Sequence, residues 1–193
     1  MRRKTYDVLF EPEAGMLALV KTPCLWRSAF YFILSIGFFT GVITNCWLLS
    51  FPLATRMAVI AATVIITGTA WVLYGFLLHG IMETFCTLAG NPVALICLLG
   101  YNALPFLVLT PLALLAAKTG LGGLPLLGGT FLVGVIWMLY LLVRSLEAVY
   151  LIDWVRAMVT VLFSLLLMFI VFVLPWIILG NIISVSYTHL TLP

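Results

Sequence analysis

The sequence predicts an all-α integral membrane protein, a bundle of five transmembrane helices preceded by a short amphipathic helix at the membrane interface. Three observations predict it. Of 193 residues, 65% are hydrophobic and only 8% charged, whereas a soluble domain needs roughly 25% charged residues to cover its surface. The few charges bound long apolar intervals, and about 20 apolar residues of helix cross a hydrocarbon core of about 30 Å. Aromatic side chains are plentiful, with six Trp, seven Tyr and thirteen Phe, as expected where rings sit at headgroup level.

Residues 1–27 read as a cytoplasmic segment. Within it, Pro12 suits a first helical position, and Glu11 and Glu13 lie near the positive end of the helix dipole. Met16, Leu17, Leu19 and Val20 then form an apolar side, and Pro23 stops the helix. Such a helix either lies in the membrane interface or packs against the protein's own loops. The basic start "MRRK" runs into "TYDVLFEPE" rather than an apolar stretch, so no signal peptide is expected to be cleaved.

The transmembrane domain is expected over 28–180. The chain is uncharged from Ser28 to Thr55, which places the first span at about 28–50 and a turn at "SFPLATR", where Pro52 breaks the helix. The second span follows at about 57–78 and ends before "HGIMETF". The uncharged interval Thr84–Ala117 is too long for one span and too short for two, so the Pro in "AGNP" predicts a third span at about 93–117. "TGLGGLPLLGG" reads as a loop because of its glycines and Pro125. The fourth and fifth spans fall at about 126–143 and 158–179, joined by the charged loop "RSLEAVYLIDWVR".

Five crossings leave the two ends of the span set on opposite sides. With the N-terminus cytoplasmic, that side holds Arg2, Arg3, Lys4, Lys21, Arg27, Arg144 and Arg156, against Arg56 and Lys118 on the other. Lys and Arg in short loops stay on the cytoplasmic side, so the N-terminus is predicted there.

Several landmarks follow one another in a fixed order. "DVLFEP" precedes a short amphipathic stretch ending in "KTP"; "LAGNP" leads into "GYNALPF" and "LTPLALL"; "WMLYLLVRSLEAVYLIDWVRAMVTVL" joins the last two spans. Together they resemble the Yip family (Ypt-interacting proteins), over Asp7 to about Ile178. The resemblance implies a five-span fold with a cytoplasmic N-terminus. It implies no catalytic residue and no cofactor. Eukaryotic members bind Rab-type GTPases and act in traffic between endoplasmic reticulum and Golgi, while prokaryotic relatives share the fold. Where members often carry a Gly-x-Gly-Ser-Phe-like turn, this chain has "AGNPVAL".

The residues themselves point away from chemistry. Cys24, Cys46, Cys86 and Cys97 form no C-x-x-C pair and have no histidine at ligand spacing, so neither a disulfide framework nor a metal site is expected. His79 and Glu83 share a helical face, but two ligands do not make a zinc site. "GLGGLPLLGG" lacks the Lys-Ser/Thr of a phosphate loop. No acidic or basic residue falls at the middle of any span, which argues against an ion-coupled pump, because buried charge marks ion pathways. Asn45 is the deepest strongly polar side chain.

Four features are candidates for function. Gly37 and Gly41 in "GFFTG" allow close helix approach, either from a second copy or from within the chain. Pro105 and Pro111 free the carbonyls of Tyr101 and Leu107, as in the broken helices of transporters or as plain packing kinks that Asn102 can satisfy. A cytoplasmic docking surface is predicted from Asp7, Phe10 and Pro12 together with Arg144, Glu147, Asp153 and Arg156. The expected partners are the lipid bilayer, a cytoplasmic or membrane protein, and a second copy of the chain; no nucleic acid is expected. The function expected is a non-enzymatic membrane scaffold or adaptor, with a small permease or transporter auxiliary subunit as the alternative.

The last nine residues, "VSYTHLTLP", match the translation of GTC TCT TAT ACA CAT CTG ACG CTG CCG. That string resembles a transposase adapter of shotgun DNA sequencing, and Ser184 satisfies the codon NCT required before it. Val185–Pro193 is therefore expected to be adapter translation, to be left out of fold reasoning. The reading implies a prokaryotic draft-assembly source and a natural chain continuing past Ile183. Long-read sequencing through codon 184 checks it: a frame that leaves "VSYTHLTLP" supports the reading, and genomic codons for those nine residues refute it.

Overall fold

The computed structural model describes residues 2–48, 50–119 and 123–173, and every regular element among them is helical. The expected adapter translation at 185–193 and the end of the fifth predicted span lie outside the described residues. Two short helices, α1 (Arg2–Phe10) and α2 (Pro12–Lys21), form a hairpin. Next come α3 (Leu25–Trp47), α4 (Leu53–Cys86), α5 (Pro92–Tyr101), α6 (Leu104–Lys118), α7 (Leu124–Tyr150) and α8 (Trp154–Met168), which widens into a π-helix at Phe169–Val173. Five segments are long and apolar enough to cross a membrane: Leu25–Asn45, Leu53–Cys86, Pro92–Lys118, Leu124–Tyr150 and Trp154–Val171.

Local chemistry explains the starts and stops. Pro12 opens α2 with Glu13 in its first turn and Lys21 in its last, both favourable to the helix dipole. Asn91 caps α5 by accepting hydrogen bonds from the Val93 and Ala94 amides at 3.0 and 3.2 Å, and Pro92 follows at the first helical position. Thr87 and Leu151 end α4 and α7 in left-handed conformations (φ 53° and 54°), returning their amides to the Met82 and Glu147 carbonyls.

The elements differ from the sequence-based boundaries at five places. The N-terminal segment is two helices, and its apolar side is buried against α5 and α7 rather than lying free in an interface: Val8 and Met16 are fully buried and Leu19 nearly so. The second span, predicted at 57–78, is a single helix of 34 residues. At 1.5 Å per residue it is about 51 Å long, more than a hydrocarbon core of about 30 Å, and it is still helical at His79 and Glu83. The third span is broken at Asn102–Ala103, because Pro105 falls in the first turn of α6, where its missing amide costs nothing. Most of the predicted glycine loop and the charged loop are helical. Pro125 fits the first turn of α7, and the helix runs on to Tyr150, so Arg144 and Glu147 are on α7 and only Leu151–Asp153 connects to α8.

The core is built around α5, eight of whose ten residues are buried. At one end Leu95 and Leu99 meet Leu78 and Met82 of α4, Leu146 of α7 and Val161 of α8. On the opposite flank Leu98, Tyr101 and Leu104 meet Val8, Met16 and Leu19 of the hairpin. Further along, Phe39 and Val42 of α3 pack on Phe106 and Ala113 of α6. Hydrogen bonds also cross between the apolar helices, where van der Waals fit is supplemented by buried polar contacts. Trp71 donates to the Ile96 carbonyl at 3.1 Å, Ser28 donates to the Cys97 carbonyl, and the Tyr74 and Ser164 hydroxyls pair at 2.8 Å.

Candidate functional site

Most of the chain's charges gather at one end of the bundle, where the hairpin meets α7. Arg144 is the hub. One guanidinium nitrogen lies 2.9 Å from Glu13 on α2 and 2.9 Å from Glu147 one turn along α7. The guanidinium also stacks over the Tyr140 ring, 5.4 Å from its centroid, and Nε donates to the Tyr140 hydroxyl at 3.3 Å.

Beneath this ion pair lies a buried polar knot. Asn102 at the α5–α6 break donates to Ser145 Oγ at 3.2 Å, and Ser145 donates to the Leu141 carbonyl at 2.8 Å. The Met16 sulfur of α2 sits 3.8 Å from Ser145 Oγ. Asn102 thus turns toward α7, not to the carbonyls that the prolines free. One residue away from Met16, Gly15 lies against the backbone of α1, where a methyl group would sit 2.6 Å from the Val8 nitrogen.

Magnitudes decide what holds the hairpin. The Glu13 side chain is 72% exposed, and exposed ion pairs contribute only about 0.2–1 kcal/mol. Each fully buried side chain such as Val8 or Met16 contributes roughly 1.5–3 kcal/mol against water. Apolar burial therefore holds the hairpin, and the ion pair sets its register. Glu13→Gln is expected to lower stability by less than about 1 kcal/mol, an effect that shrinks with added salt; thermal unfolding at low and high salt checks it.

A second polar cluster lies at the same end. His79 Nδ1 and the Tyr150 hydroxyl are 2.7 Å apart, and His79 Nε2 is 3.8 Å from Glu83. The Tyr150 ring lies flat against Gly90, in space that any side chain there would occupy. Sequence spacing paired His79 with Glu83, whereas Tyr150, 71 positions away, carries no local signal.

The other predicted residues are distributed as follows. Phe10 is exposed and meets Trp137 edge to face at 6.2 Å, Pro12 is buried, and the Asp7 carbonyl accepts from the Glu11 amide at 2.7 Å. Asp153 and Arg156 pair at 3.3 Å at the start of α8, both largely exposed. The predicted docking residues thus fall into a locked group on the hairpin and α7 and an exposed pair on α8. Gly37 and Gly41 face Val64 and Ile60 of α4, each with room for a methyl group at 3.8 Å. Pro111 lies inside α6, where the Thr110 hydroxyl donates to the Phe106 carbonyl at 2.8 Å. Among the described residues no three His, Cys, Asp or Glu side chains converge as metal ligands would. The sequence reading missed Met16, Asn102 and Ser145 as a unit; two polar side chains in otherwise apolar helices were the available signal.

No family model, curated protein or solved structure matches the chain.

Proposed function

We propose that this chain is a multipass membrane protein of the Yip type, a non-enzymatic scaffold whose charged end faces the cytoplasm and docks a protein partner. The observation that carries the reading is the locked hairpin. Val8, Met16 and Leu19 hold it to the bundle while Tyr6, Phe10 and Leu17 stay 58%, 56% and 44% exposed. Exposed aromatic and aliphatic side chains on a pre-ordered support bind at low entropic cost. The resemblance over Asp7 to Ile178 supports the same reading, as does the bias of Lys and Arg toward this end.

Deleting residues 7–21 is a poor test, because it also strips Val8, Met16 and Leu19 from the core. The paired substitution Tyr6→Ser with Leu17→Ser changes exposed positions only. Affinity capture from native membranes is expected to lose a stoichiometric partner in that variant at unchanged melting temperature. Solute flux into proteoliposomes containing the purified chain alone would overturn the scaffold in favour of a permease.

A further inference from the structure

The opposite end of the bundle has a charge arrangement of its own. All six acidic residues, Asp7, Glu11, Glu13, Glu83, Glu147 and Asp153, lie in the hairpin or near the hairpin-side ends of α4, α7 and α8. Arg56, in the first turn of α4, therefore has no countercharge within reach. One Nη donates to Asn45 Oδ1 of α3 at 2.8 Å, and Asn45 Nδ2 donates in turn to the Gly41 carbonyl at 2.8 Å. The Arg56 Nε–H is buried with no acceptor among the described residues. A cation at a helix N-terminus also opposes the helix dipole. The missing countercharge and the opposed helix dipole are both relieved by an anion on the outer face of the guanidinium.

An apolar groove of about 640 Å³ leads to this point. It runs between α3, α4 and α6, with Gly37 and Gly41 as its floor, Ile60 and Leu114 on its walls and Asn45 at its head. Thr110 and Leu114 line it from α6, and Lys118 lies one turn further on the same face. A second cation thus flanks the mouth.

We propose that this groove binds a net-anionic glycerophospholipid, with an acyl chain along Gly37 and Gly41 and the phosphate on Arg56. The phosphate oxygens accept from the free guanidinium N–H groups, a charge-assisted contact that suits arginine. A choline or ethanolamine headgroup would bring an ammonium group to a site with two cations and no carboxylate, so the headgroup must be net anionic. The inference rests on the membrane reading above.

The test is native mass spectrometry of the full chain in detergent with phosphatidylglycerol, phosphatidylcholine or glycerol phosphate added. Wild type is expected to retain phosphatidylglycerol about tenfold better than phosphatidylcholine, the scale of one charge-assisted hydrogen bond. Arg56→Gln should bring the two lipids near parity, and Lys118→Gln should lower the preference partway. Glycerol phosphate binding as well as the lipid, or full preference surviving in Arg56→Gln, would overturn the proposal. Equal retention of both lipids by a chain that resists alkaline carbonate extraction overturns this inference alone. Release of the chain by carbonate would overturn the membrane reading and the lipid site with it.

Discussion

Gly15→Ala is expected to open the α1–α2 hairpin and to loosen the whole charged end of the bundle. The added methyl group runs into the main chain of α1, at 2.6 Å from the Val8 nitrogen, 2.7 Å from the Asp7 carbonyl carbon and 2.9 Å from the Val8 Cα. Main chain within a helix cannot step aside as a flexible side-chain tip can. Overpacking of this kind typically costs about 1–3 kcal/mol. Parting α1 from α2 also uncovers Val8 and Met16, which lie between them and α7. A drop in melting temperature with faster tryptic cleavage after Lys21 is the expected result. Gly41→Ala is the matched control, since its methyl group meets Ile60 only at 3.8 Å; it should melt like wild type.

The second large effect is expected at Asn102. The residue is 3% exposed and its side-chain amide donates to Ser145 Oγ at 3.2 Å, tying the helix break to α7. Asn102→Leu keeps the volume but leaves Ser145 one partner short, a loss of about 1–3 kcal/mol for a buried polar group. Ser145 retains the Leu141 carbonyl, so the lower part of that range applies. Adding Ser145→Ala removes the hydroxyl whose oxygen has lost its donor and should recover part of the loss. A double-mutant cycle measures this directly: strict additivity of the two changes would show that the knot is not a unit.

The number of long apolar helices was legible because Arg56, Lys118, Arg144 and Arg156 interrupt the apolar sequence near the helix ends. The starts of α2 and α5 were legible from Pro12 and from Asn91–Pro92, which act on their own neighbours. Helix extents were less so. Hydropathy marks where a segment leaves the bilayer, whereas α4 stays helical past Leu78 to Cys86. The charged end was legible only as a set of separate residues. Glu13 and Arg144 are far apart in sequence, as are Met16 and Ser145, and their pairing depends on how the hairpin packs. The Gly37–Gly41 spacing suggested a close helix approach, whereas within the chain both glycines meet only side-chain tips of α4 at 3.8 Å.

The central claim is that the bundle crosses a bilayer with its hairpin end in the cytoplasm, and thiol labelling tests it most directly. Cys86, exposed at the hairpin end of α4, serves as the only cysteine in one variant. Ser50→Cys, in the exposed turn before α4, serves as the only cysteine in another. In intact cells a membrane-impermeant maleimide is expected to label Ser50→Cys and to leave Cys86 unmodified until the membrane is permeabilised. Equal labelling of the two positions before permeabilisation would contradict the account.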